Sequence, residues 1–399
     1  MTYHPPKETL EKYANVLVNF ALNSGKGVKK GEVVYLQVPE CAKPLLIELQ
    51  KTILKAGAHY ITNYLPDNTA RHFYELAEEH HLDFFPHHYL KGRVEQADHF
   101  IMIIAETDKR ELQGIAPEKI MKRTKAFEQY KKWRDEKENQ GKLTWTLALY
   151  GTEAMAKEAS LSLEEYWQQI INACFLSHDN PLKTWNEVFA EVDRVKDKLN
   201  SLQIEKLRVI AEGTDLIIKL GKNRTWMGGS GRNIPSFEVF ISPDYRHTEG
   251  KIRFNQPAYH HGNLIKNIKL EFKDGKIIKA EADEDSLLKE ILKVEGADQI
   301  GEYSLTDSRL SHITKFMAET LYDENLGGEH GNTHIAIGSA YKDSYPGNPA
   351  EITDEQWEEM GYNSSVIHMD FISTENRKII ATLSDGKELI IYENGKFSI

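Results

Sequence analysis

Near residues 203–206 the apolar pattern of this 399-residue chain changes period, and that change limits the folds open to it. Before it, helix-spaced and strand-like runs alternate. Leu10, Tyr13, Val16, Leu17, Phe20 and Ala21 mark one face of a helix, and Gly25, Gly27 and Gly31 interrupt the pattern ahead of an apolar run at 33–38. Further strands are predicted at 59–64, 99–105 and 143–150. Helices are predicted at 44–56 (Pro44 in its first turn), 70–80, 117–140, 163–174 and 182–202. Such alternation predicts an open, mainly parallel α/β sheet. After Leu207 short β-rich runs take over, at 207–211, 215–219, 237–241, 250–254, 262–272 and 276–282. Asp274-Gly275 and Asn394-Gly395 supply hairpin turns, and only 285–294 and 311–321 read as helices. Two domains are expected: an α/β N-terminal domain over 1–204, and over 205–399 an α+β domain dominated by antiparallel strands and barrel-like.

The formal net charge of −11 offers no basic face for nucleic acid. Cys41 and Cys174 are far apart and in no CxxC pattern, so neither stapling nor thiolate-ligated zinc is expected and a reducing compartment is. The N-terminus opens polar without an apolar signal core, and apolar runs such as 100–105 are strand-length. These readings predict a cytoplasmic protein that engages neither membrane nor nucleic acid.

Chemistry-bearing residues gather in the second half. His368 and Asp370, two apart in an apolar run, point to one face of a strand; either they face solvent or they offer an imidazole and a carboxylate to one cation. Upstream, Asp323 and Glu324 lead into a loop holding Gly327, Gly328, Glu329, His330 and Gly331, and an apolar strand starts at His334. Glycines allow close backbone approach, and packing alone gives no reason for acids and histidines at that junction. Glu238 stands in an apolar strand behind the glycines 228, 229 and 231. An acid buried there needs a partner or a metal. No Gly-Lys-Ser/Thr follows, so this is not a phosphate loop. Glu302 follows Ile300-Gly301 and says little alone. The histidines of Glu78-Glu79-His80-His81 and His87-His88 point apart along a helix and read as a solvated end. His260-His261, beside Tyr259, are placed to line a pocket or to pack.

Together these segments carry a resemblance. Asn233-Ile234-Pro235 with Glu238-Val239-Phe240, then Ile300-Gly301-Glu302, then Glu329 to Gly338, then Asn363 with Ile367-His368-Met369-Asp370, resemble in order the four motifs of the aminopeptidase T / aminopeptidase S family of metallopeptidases. Asn19, Gly31-Glu32-Val33-Val34 and Lys55-Ala56-Gly57 are similar to that family's first domain. The resemblance implies a homodimer that cleaves peptides with a free N-terminus. It implies two divalent ions held by Glu238, Glu302, His334, His368 and Asp370, with Glu302 shared, and a catalytic tyrosine at Tyr341. A sixth ligand is expected shortly before His334. Glu329 is preferred because it lies in the same short loop as the imidazole, and Glu324 is the alternative.

Six oxygen and nitrogen ligands without a thiolate suit Zn²⁺, Co²⁺ or Mn²⁺. A water between two such ions becomes hydroxide near neutrality, and Tyr341 is placed to donate to the developing oxyanion. Two other readings stand beside this one. Metal ligands do not encode the leaving group, so a two-metal hydrolase of another amide or ester fits too. A ligand-binding α/β protein without catalysis is the second, although Pro39-Glu40-Cys41-Ala42 after the first strand lacks a dinucleotide-binding glycine loop.

Overall fold

The computed structural model describes residues 3–260 and 263–399; His261 and the side chain of His260, singled out above, lie outside that description. By contacts the chain divides into two compact units, one running up to Trp185 together with Ser230–Ile234, the other comprising Asn186–Gly229 and Pro235–Ile399. This division falls inside the helix Pro181–Ser201, ahead of the 204/205 cut read from the sequence. The later turns of that helix pack with the second unit, where Val192 stands against Gly228 and Gly229.

The first unit holds a five-stranded parallel sheet in the order His59–Leu65, Val33–Pro39, His99–Ile104, Thr144–Leu149, Asn233–Ile234. Val34, Leu36, Val38, Phe100, Ile101 and Leu149 are buried, as strands covered on both faces require. The stretch 117–140 is two helices, Pro117–Ala126 and Glu128–Asn139, parted at Phe127.

The second unit contains two antiparallel sheets of eight and five strands and a hairpin, Ala258–His260 with Asn263–Ile265. The predominance of antiparallel strands is therefore as the sequence suggested. Among the described residues, the eight-stranded order runs from Lys276–Glu281 at one edge to Lys396–Phe397 at the other, with no pairing between those two. The expected helix over 311–321 is replaced by irregular chain, and only Thr320–Asp323 is helical. Side chains have taken over the backbone groups that a helix would use. Asp323 accepts the N–H of Met317 at 2.6 Å and of Glu319 at 3.0 Å, and Ser311 donates to the Asn325 carbonyl. Among the described residues no helix is long and apolar enough to cross a membrane.

Candidate metal centre

The five-stranded antiparallel sheet runs His368–Ser373, Asn332–Gly338, Ile300–Thr306, Glu238–Ile241, Met227–Gly228. Its register pairs Thr306 with Glu238, Ser304 with His334, Glu302 with Ala336, Ala336 with Asp370, and Gly338 with His368. Residues opposed across antiparallel strands present their side chains on the same face. Glu238, Glu302, His334, His368 and Asp370 therefore share one face, although they come from four strands. Ala336 and Gly338, between the bulkier groups, leave room over that face. The register shifts between Ile300 and Glu302, around Gly301, whose α-carbon packs against the carbonyls of Gly338 and Ser339.

The ring nitrogen Nε2 of His334 lies 3.4 Å from Glu238 Oε2, 3.7 Å from Glu302 Oε1 and 3.9 Å from Asp370 Oδ1. His368 Nε2 lies 3.4 Å from Glu302 Oε2 and 3.7 Å from Asp370 Oδ1. These gaps exceed an ordinary hydrogen bond. They approach the ~3.3 Å that separates two ligands each ~2 Å from one ion at a tetrahedral angle. Two overlapping groups can each enclose an ion, Glu238–Glu302–His334 and Glu302–His368–Asp370, and Glu302 belongs to both.

The surrounding polar groups aim these side chains. Ser304 donates from Oγ to Glu238 Oε2 at 2.8 Å. His368 Nδ1 sits 2.8 Å from the Ser339 carbonyl; since a carbonyl only accepts, Nδ1 carries a proton and Nε2 is the nitrogen that faces the site. Asn363 donates to the Gly338 carbonyl at 2.6 Å and the Gly296 carbonyl at 2.8 Å, fixing the strand end opposite His368. Fully buried Asn325 accepts the Phe237 N–H at 2.7 Å and donates to Leu321 O at 3.2 Å, tying the segment that carries Glu324 to the strand that carries Glu238. Asn332 donates to the Glu324 carbonyl at 2.8 Å. None of these aiming residues except Asn363 stood out in the sequence. Ser304 had a readable signal, since it is two residues from Glu302 on one strand face.

The two contenders for the sixth ligand lie in different surroundings. The Glu329 side chain is 88% exposed, with His330 as its neighbour at 4.0 Å, and it does not join the cluster. Glu324 lies within reach of its charges, although it is in neither group that could enclose an ion: burial and the charges of Glu238, Asp370 and Glu302 push its carboxyl well above the usual carboxylate range. The physical reason is the turn after Asp323. Glu324 closes the short helix beneath the sheet face, while the chain through Gly327 and Gly328 carries Glu329 out to solvent.

Electrostatically the site is strained by its own acids. Burial and the neighbouring Glu302 raise Glu238 to about 7, and burial raises Asp370 as well. Burial acts to raise Glu302 too, yet the close approach and attraction of both imidazoles outweigh it and lower that carboxyl to about 2. Burial opposes charging of His334 and His368, but the carboxylates around them raise both to about 9. His334 Nδ1 is buried without a hydrogen-bond partner. Four acids share the site with two imidazoles, an imbalance that a divalent cation would relieve, so the donor set fits such an ion.

Tyr341 borders the cluster. Its ring lies 4.7 Å from that of His368 and 5.6 Å from that of Phe240, its backbone N–H donates to Ser242 Oγ at 2.8 Å, and 45% of the residue stays exposed. Burial of the phenol, together with Glu302, Asp370, Glu324 and Glu238, pushes its pKa far up, so the group is a neutral donor. In the first unit Glu78, His80 and His81 also come close enough to enclose an ion, but all three are exposed.

Comparison with known proteins gives the same picture. The profile described as thermophilic metalloprotease (M29) matches residues 6–397. The chain is 30% identical to aminopeptidase PepS of Streptococcus thermophilus, with 98% of each covered. It is 29% identical to aminopeptidase AmpS of Bacillus subtilis, over 98% of this chain and 100% of that one. Its fold superposes on wild-type AmpT from Thermus thermophilus with a TM-score of 0.85 at 24% identity, over 98% of this chain and 100% of the other. A profile match of that extent, over a fold whose sheet gathers acids and imidazoles on one face, places this chain in the thermophilic metalloprotease (M29) family.

Proposed function

We propose that this chain, a metal-dependent aminopeptidase, holds two divalent ions on Glu238, Glu302, Glu324, His334, His368 and Asp370, with Glu302 between them. The observation that carries the reading is the convergence of Glu238, Glu302, His334, His368 and Asp370 on one sheet face, in two groups that overlap at Glu302. Glu324 takes the place that Glu329 holds in the sequence reading, because the acids of the cluster act on its carboxyl while Glu329 lies in solvent. Bound there, the ions supply Lewis acidity and a water whose pKa is lowered toward neutrality.

The chain's own residues do the rest. The excess of carboxylates attracts the ammonium of a free peptide N-terminus and disfavours a blocked one. Tyr341, neutral and at the border of the site, donates a hydrogen bond to the oxyanion that develops on the scissile carbonyl. The Ser339 carbonyl and Ser304 hold His368 and Glu238 in position throughout. Zn²⁺, Co²⁺ and Mn²⁺ all suit this donor set. The same proposal places the chain in the cytoplasm as a homodimer acting on peptides, without nucleic acid or membrane; its two free cysteines accord with a reducing compartment.

Elemental analysis and a peptide panel test the proposal. About two equivalents of a divalent metal and cleavage confined to unblocked peptides are expected, with both lost in His334→Ala and His368→Ala variants that still fold. Equal cleavage of N-acetylated peptides would sink the exopeptidase reading. Full activity in either histidine variant would remove the site.

A further inference from the structure

The first unit contains a second polar cluster, unrelated to the metal ligands. Arg93, on the helix His87–Gln96, has its guanidinium carbon 4.3 Å from the ring centre of Tyr35, 5.2 Å from that of Tyr130 and 5.5 Å from that of Tyr89. Arg134, on the helix Glu128–Asn139, stands 4.8 Å from the ring centre of Phe100. Tyr35 and Phe100 are register partners on adjacent parallel strands with ring centres 5.0 Å apart, so the two guanidiniums stand over neighbouring rings of one sheet. Both cations also act on the Tyr130 phenol.

Neither arginine is neutralised. Among the described residues no carboxylate is within ion-pair distance of either, and two acids close to them in sequence, Glu138 and Asp98, are engaged elsewhere. Glu138 receives Trp145 Nε1 and Arg232, and Asp98 receives the Val33 N–H. The Nε atoms of Arg93 and Arg134 and the hydroxyl of Tyr35, a residue only 1% exposed, are buried with no hydrogen-bond partner. Aromatic faces accommodate a guanidinium but leave its in-plane N–H donors unused, and Arg134 gives one of its own only to the weak acceptor Met102 Sδ at 4.0 Å. Two like charges set together in a protein of net charge −11 call for an oxyanion.

We propose that Arg93, Arg134 and Tyr35 form a binding site for a small oxyanion, a carboxylate or a phosphate, against a wall of aromatic rings. The forked donors of the two arginines would grip its oxygens, and the Tyr35 hydroxyl would give a third hydrogen bond from below. The site lies wholly within the first unit, and its existence does not depend on the metal ligands.

The test uses the full-length, metal-loaded protein titrated with inorganic phosphate and, separately, with acetate. Total ionic strength is held constant with chloride so that screening does not change. Binding is followed by calorimetry and by the thermal midpoint. Saturable binding of at least one anion is expected, weakened about tenfold or more in the Arg93→Gln/Arg134→Gln variant. Phosphate alone binding identifies a phosphate-bearing ligand, acetate alone a carboxylate, and both together the shared oxyanion chemistry. Tyr35→Phe, which keeps the ring, should weaken binding with little change in the midpoint of the anion-free protein. Arg93→Lys, which keeps the charge but loses the fork, should weaken it too, and serves if the double variant does not fold. Absence of binding to either anion overturns the proposal. So does equal binding in wild type and arginine variants, because that would place the anion at the metal centre.

Discussion

At Glu324 and Glu329, two glutamates five positions apart, the same carboxyl group has opposite surroundings. The first feels the charges of the sheet-face acids, and the second lies in solvent. Glu324→Gln keeps the size but loses the charge, and is expected to lower bound metal and peptide hydrolysis by at least about 10²-fold. Glu329→Gln should leave both within about twofold. Elemental analysis and initial rates check the pair, and the reverse ranking would restore Glu329 as ligand. Tyr341→Phe removes one hydroxyl at the border of the site. A fall in kcat of roughly 10²-fold with KM nearly unchanged is expected if that hydroxyl meets the oxyanion. An unchanged kcat would make Tyr341 a packing residue against His368 and Phe240. Residue types and order were legible in the sequence here. The choice between the glutamates was not, because it depends on where a short helix ends and the glycines after it turn the chain outward.

The five-stranded sheet works as an element because its register sets distances between ligands. Gly338, opposite His368, has φ +94°, and a β-carbon there would run into the Ile367 carbonyl. Gly338→Ala should therefore destabilise the protein by about 1–3 kcal/mol through backbone strain. It should also loosen metal binding, since the strand edge carrying His368 must move. Denaturant unfolding and a chelator competition measure the two effects, and unaltered stability would show that the sheet yields easily at this point. Strand existence was readable from alternation at 237–241 and 366–371. The register was not readable, because period two fixes which residues share a face but not which strand lies alongside. The failed helix over 311–321 has a similar cause. Its apolar spacing is helical, yet Asp323 and Ser311 capture backbone groups from positions that local periodicity does not reveal.

For the whole molecule, metal loading and protonation are linked. Without metal, His334 and His368 titrate at about 9 and Glu238 at about 7, so all three hold protons that a cation must displace. Both imidazoles lie above their ordinary value, hence they are charged at pH 8 and lose their protons on loading. Release of at least two protons per molecule is expected at that pH, two of them from the imidazoles, with metal affinity rising from about pH 6 to 9. Dilute-buffer pH measurement during metal addition reads this directly, and metal uptake without proton release would show that these groups are not the ligands. By itself the sequence determined the chemical class of the centre: acids and imidazoles in a fixed order, no thiolates, and a parallel-sheet half followed by an antiparallel one. Composition and periodicity are local properties, and they survive without knowledge of the fold. Tertiary structure decided that Glu324 feels the charges of the cluster while Glu329 lies in solvent, and that Ser304 and the Ser339 carbonyl aim its members. It also set two uncompensated arginines over the aromatic residues of one sheet. Those outcomes depend on which distant segments meet, and a one-dimensional pattern carries no distance between them.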